Sequence, residues 1–123
     1  PQLMEACDVI LVNCYPFWEG SSIEESATHL KQMYAVTQKA ANGKPVIITE
    51  TGWPNQGDAT KDAVPSEINA MKYFINTANW AQKNEVPIFY FSSFDESWKV
   101  HHEGDVGARW GIWDANENLK FQS

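Results

Sequence analysis

The sequence has little cysteine, little positive charge, no long apolar run and no glycine-rich loop, and each shortage removes a class of protein. Only Cys7 and Cys14 occur in 123 residues. The run ending at Cys14 reads as an extended strand, and seven residues of strand span roughly 23 Å at ~3.3 Å each. A disulfide needs its Cα atoms within about 7 Å, so the two are expected as buried free thiols. Nine Lys and Arg stand against sixteen Asp and Glu, a formal charge of −7. Such a surface repels phosphate backbones and excludes nucleic acid as a partner. No stretch approaches the ~20 apolar residues of a membrane span, so no membrane partner is expected, and no leader-like segment is visible. No glycine-rich phosphate loop follows any strand, which counts against a nucleotide-binding α/β domain. His101 and His102 adjoin Glu103, but a zinc site needs three or four ligands in a fixed geometry. Adjacent histidines on a loop do not meet that need, so neither metal nor cofactor is expected. His29 falls mid-helix and is expected to be exposed.

Hydrophobic residues make up 43% of the chain and no charge run or low-complexity tract interrupts them, so disorder is excluded. The length suits one small domain over 1–123. Three runs read as strands: 8–14, 45–50 and 87–92. The first two are apolar on both faces and rich in β-branched residues, as strands covered on both sides are. Between the strands lie two helices. The first opens at Ser22, with Glu25 three residues on as a capping box. Ile23, Ala27, Leu30, Tyr34, Thr37 and Ala41 follow at helical spacing, and Asn42-Gly43 supplies the stop. The second begins around Pro65-Ser66, with Pro in the first turn, runs through Ile68, Met71, Ile75 and Ala78, and ends by Asn84.

The order strand, helix, strand, helix, strand implies a parallel sheet with right-handed crossovers. A (β/α)8 TIM barrel and an open doubly wound sheet both fit. All three strands end in polar or aromatic groups: Asn13 and Tyr15, Glu50 and Trp53, Asp95 and Glu96. Barrel enzymes gather their chemistry at that rim from several strands, whereas open sheets bind mainly at a switch point. The barrel is therefore favoured. It needs eight units and typically ~250 residues, so three strands make an incomplete barrel. The chain also opens at Pro1 inside ordered structure, as a piece of something longer would. Bare sheet edges and apolar faces then invite self-association or pairing with the missing barrel portion.

Glu50 ends an otherwise apolar strand. Strict alternation puts it on the side of Val46 and Ile48, with Ile47 and Thr49 opposite. A rim carboxylate there needs a partner or a shifted pKa; an ion pair with a nearby Lys or Arg is the structural alternative. Alternation sets Asn13 beside Tyr15, an amide and a hydroxyl able to hold a carboxylate or a sugar hydroxyl, or else part of a turn at Pro16 with its aromatics in the core. Glu96, Trp98 and Lys99 add an acid, a ring and a cation, or simply a surface ion pair. Residues 104–114 read as a loop over the rim, and 114–118 as a turn.

Three blocks carry a resemblance. Val12-Asn13-Cys14-Tyr15-Pro16-Phe17, Ile48-Thr49-Glu50-Thr51-Gly52-Trp53-Pro54, and Phe94-Asp95-Glu96-Ser97-Trp98-Lys99 with Trp110-Gly111-Ile112-Trp113-Asp114 resemble glycoside hydrolase family 17, the β-1,3-glucanases and glucanosyltransferases. Their order and spacing match the family's sixth, seventh and eighth strands. The resemblance implies a (β/α)8 barrel, retaining cleavage of β-1,3-glucan and Glu50 as nucleophile. It sets Tyr15 beside that nucleophile and Glu96 with Lys99 as a pair at the sugar-binding rim. It puts Trp53 and Trp98 in loops lining the cleft and makes Asn13 and Phe17 rim residues expected to bind substrate. It also implies an extracellular, periplasmic or cell-wall setting. Two departures stand out. The family's general acid ends the fourth strand, outside this chain, so the chain alone is expected to be inactive. Many plant and fungal members carry a glutamate three residues before the Trp-Gly, where this chain has Gly107. The alternative is an inactive carbohydrate-binding or self-associating fragment.

Overall fold

A computed structural model of the chain describes residues 2–121. A short helix α1 (Gln2–Ala6) leads into strand β1 (Ile10–Asn13), and a one-turn helix α2 (Pro16–Glu19) follows it. Then come α3 (Ile23–Ala41), β2 (Val46–Thr51), α4 (Glu67–Lys83), β3 (Ile88–Tyr90) and the short helix α5 (Val100–Glu103). The strands pair in the order β1-β2-β3, both pairs parallel. The α/β reading and the parallel sheet hold, with every strand end within two residues of the expected limit and β2 running one residue past it.

Both long helices start where their caps are. The Ser22 hydroxyl accepts from the Glu25 N–H and the Ser66 hydroxyl from the Asn69 N–H, each satisfying a donor the helix leaves free. Asn42 ends α3 in the left-handed region at φ 51°. Pro65 lies one residue before the Ser66 cap rather than inside the first turn. On α3 the expected stripe is the buried one: Ile23, Leu30, Tyr34 and Ala41. On α4 it is not. Ala70, Tyr73, Thr77 and Ala81 face inward, while Ile68 and Ile75 are 62% and 46% exposed. Small residues bring this helix close to the sheet, and the buried Tyr73 hydroxyl shares a 2.6 Å hydrogen bond with Thr51. A second apolar stripe masked that face in the sequence.

The core lies between the sheet and α3 and α4. Ile10, Val46 and Ile48 are buried there with Leu30, Tyr34 and Tyr73, each large side chain contributing roughly 1.5–3 kcal/mol. The other face is open: Leu11 and Phe89 are 62% and 65% exposed. The two-sided burial expected from composition is thus one-sided in this chain. Cys14 is buried and Cys7 exposed, both free; exposure of Cys7 follows from its place between α1 and β1. His29 is half-buried, bonded through Nδ1 to the Ser21 hydroxyl.

Strand β2 carries one residue more than either neighbour. Against β1, Val12 pairs with Ile48 and the next residue, Asn13, with Glu50. Against β3, Ile88 pairs with Ile48 and Tyr90 with Thr51, two steps against three. This bulge breaks the period-2 alternation. Thr51 enters the helix layer, and Glu50 stands on the open side with Asn13 and Tyr15. The expectation that Glu50 shares a side with Val46 and Ile48 is therefore corrected.

Candidate active site

Glu50 meets Tyr15 at the C-terminal end of the sheet. The tyrosine hydroxyl donates to Glu50 Oε2 at 2.6 Å, the short geometry of a bond to a charged acceptor. Burial pushes the Tyr15 hydroxyl well above its ordinary pKa, and the Glu50 carboxylate raises it further, so Tyr15 keeps its proton and remains a donor. The turn after Glu50 needs Gly52: a Cβ there would lie 2.0 Å from the Phe91 carbonyl oxygen. That close approach sets the end of β2 against the end of β3.

A cavity of about 210 Å³ opens over this pair, lined by Tyr15, Trp18, Glu50, Phe91, Lys99, Glu103 and Trp110. Lys99 Nζ lies 4.1 Å from the Phe91 ring centroid, a cation–π contact, and 2.5 Å from Glu96 Oε2. The Trp110 and Trp18 rings lie 5.5 Å apart at 39°, while Trp110 meets Tyr15 edge-on. An acceptor carboxylate, a cation and exposed indole surface in one recess suit a neutral polyhydroxyl ligand. Among the described residues no cluster of three His, Cys, Asp or Glu is placed to hold a metal ion, and no helix is long and apolar enough to cross a membrane.

The structure brings together Glu50, Tyr15 and Lys99 of the expected set, with Glu96 attached through Lys99. Asn13 lies at the rim, where its side-chain oxygen accepts from the Thr49 hydroxyl at 2.8 Å. Trp98 is 63% exposed, with its ring 5.3 Å from Lys99 Nζ. Phe17 and Trp53 stand apart from the recess. They are buried against each other at 5.3 Å, and the Trp53 indole N–H donates to the Val64 carbonyl. A ring enclosed in this way has no free face for a sugar. Trp18 and Phe91 are not singled out in the sequence, Glu103 enters there only beside His101 and His102 as a poor metal set, and Trp110 only as part of a resembling block. Trp18 adjoins the named Phe17, and the sense of the turn decided which of the two rings faces out. Asp95, the neighbour of Glu96, is a structural anchor: its side chain accepts from Lys120 Nζ at 2.5 Å and from the Gly111 N–H at 3.0 Å. It thereby ties down the segment carrying Trp110. The turn expected at 114–118 is present, held by the Asp114 carboxylate on Asn116 and Asn118.

The family model for the BtgE/BtgC glycoside hydrolase domain matches residues 1–111. The chain is 27% identical to a glucan 1,3-beta-glucosidase of Saccharomyces cerevisiae, over 97% of its own length and 41% of that protein's. It is 30% identical to a cell surface mannoprotein of Candida albicans, over 92% of its length and 30% of the relative's. A glycoside hydrolase family 17 β-1,3-glucanosyltransferase from Rhizomucor miehei superposes with a TM-score of 0.89 at 32% identity, covering 95% of this chain and 42% of that one. An active-site mutant of the Rhizomucor miehei enzyme in complex with laminaritriose matches equally well. The chain thus spans less than half the length of these relatives.

Proposed function

The chain belongs to the BtgE/BtgC glycoside hydrolase domain family, and on that premise we propose that it carries the nucleophile side of a retaining site for β-1,3-glucan, with Glu50 as the nucleophile. The observation that carries the reading is the Glu50 carboxylate at a strand end, held by Tyr15 at 2.6 Å in the wall of an aromatic recess. The hydrogen bond orients one carboxylate oxygen and leaves the other to attack the anomeric carbon. A glycosyl-enzyme ester forms as the leaving oxygen takes a proton from a general acid, and water or a second sugar then resolves the ester. By the family resemblance that acid ends the fourth strand of a (β/α)8 barrel, outside this chain. The 123 residues are then a single partial domain holding the last three β/α units. The likeness to a glucanosyltransferase over 95% of the chain supports this placement. Glu96 and Lys99 stiffen the recess, and the exposed Trp98 and Asn13 extend its rim toward substrate. The cell surface relative favours an extracellular or cell-wall setting.

Glu50→Gln in a full-length protein carrying this segment tests the reading. The variant is expected to lose several orders of magnitude in turnover of laminarin with its melting curve unchanged, and turnover near that of the parent would refute the assignment. The bare sheet face with Leu11 and Phe89 is where the remaining barrel units would pack, so the isolated chain is expected to hydrolyse little or nothing.

A further inference from the structure

We propose that Glu103 is a substrate-binding, specificity-determining residue whose carboxylate accepts hydroxyl hydrogen bonds from a glucosyl unit stacked against Trp18. The inference rests on the reading of the site given above and adds a residue to it. Glu103 is the last residue of α5 and lines the same recess as Glu50. The two carboxylates differ in their engagements. Glu50 already accepts from Tyr15, whereas among the described residues no ion pair or side-chain hydrogen bond engages Glu103. Lys99, the cation of the recess, is taken by Glu96. Glu103 is thus the free acceptor in a wall that also offers Trp18, 41% exposed. A sugar presents several hydroxyl donors around one ring, and a carboxylate can accept two of them at once.

The local backbone holds Glu103 in this place. The 3-10 turn Asp105–Ala108 packs back on α5, and the contact tolerates no side chain at Gly107. A Cβ there would lie 2.8 Å from Glu103 Cβ and 2.8 Å from the Lys99 carbonyl oxygen. The Glu103 charge also contributes to raising the Tyr15 pKa, so its field reaches the Tyr15–Glu50 pair. A general acid is built by burying a carboxyl away from water. Glu103 is solvent-exposed, an arrangement suited to binding rather than proton delivery.

The test is steady-state kinetics of the full-length protein on laminaritriose, comparing Glu103→Ala, Glu103→Gln and Glu50→Gln with the parent. Glu103→Ala is expected to raise KM about 10- to 100-fold, the worth of hydrogen bonds to a charged acceptor, with kcat within about threefold of the parent. Glu103→Gln, which keeps one acceptor oxygen, should fall between. KM within about twofold of the parent in both variants would overturn the proposal. So would a kcat loss beyond about 100-fold at unchanged KM, because Glu103 would then act in the chemistry itself. If Glu103→Ala melts early, the isosteric Gln variant decides. The two levels separate cleanly. An active Glu50→Gln enzyme brings down the site reading, whereas an inactive one with parental KM in both Glu103 variants brings down only this inference.

Discussion

Asp95→Ala removes the anchor that ties the final segment of the chain to the end of β3. The Asp95 and Lys120 side chains are only 4% and 8% exposed, and their charged atoms lie 2.5 Å apart. Burial lowers the Lys120 pKa, while Asp95 acts in the opposite sense. Without the carboxylate, a buried ammonium keeps the Asn55 side-chain oxygen at 3.0 Å as its remaining partner, and the Gly111 N–H loses its acceptor. Breaking a buried pair from one side costs about 3–5 kcal/mol, a large share of the ~5–15 kcal/mol that holds a domain together. Asp95→Asn keeps an acceptor for Gly111 and loses the charge, so it should cost less, about 1.5–3 kcal/mol. Lys120→Met should cost least, because Asp95 retains the Gly111 N–H and the Arg109 guanidinium 3.8 Å away. Urea unfolding followed by tryptophan fluorescence orders the three. An Asp95→Ala midpoint equivalent to less than about 0.5 kcal/mol, the range of an ordinary surface change, would refute the reasoning.

Trp53→Ala should cost about 3–5 kcal/mol, read as a lowered melting temperature, while the protein that remains folded keeps the parental KM for oligosaccharide. Unchanged melting with lost affinity would return Trp53 to the cleft. Burial raises the hydroxyls of Tyr15, Tyr73 and Tyr90 well above the ordinary tyrosine value. An unfolded chain ionises near pH 10 while the fold keeps these protons. Their contribution is therefore complete below about pH 10, and stability falls as pH climbs above it. Ultraviolet titration should show these three hydroxyls ionising only with unfolding; reversible ionisation of all three near pH 10 in the folded protein would count against it.

Much of the frame was legible because local chemistry decides it. Ser22, Ser66 and Asn42 act within one turn of the residues they cap, and β-branched runs declare strands wherever they occur. Glu50 and Tyr15 are set beside each other only by the family resemblance, and the structure joins them because both lie at the C-terminal ends of adjacent parallel strands. What escaped depends on contacts distant in sequence. The inward face of α4 was chosen by Tyr73 meeting Thr51, not by the richer stripe of Ile68, Met71 and Ile75. Phe17 and Trp53 read as cleft residues in the sequence because aromatic rings at a rim look alike until packing separates them. Glu103 read only as part of a poor metal set, since nothing local says that a later 3-10 turn will press α5 over the recess.

The extra residue in β2 makes the location of the chemistry a matter of counting. Side chains along a strand sort into two layers by parity, and one added residue exchanges the layers for all that follows. Glu50 faces the recess and Thr51 the helices because the bulge takes up one residue between Ile48 and Thr51. Exchanging Thr49 for another residue of similar size leaves that parity intact. The same residues in a strand without the bulge would send the carboxylate into the apolar layer and the threonine to the rim, with every residue type in the Glu-Thr-Gly-Trp block still present. The block therefore locates the chemistry only together with the bulge, and a relative with the same block in a regularly alternating strand would hold its carboxylate in the wrong layer.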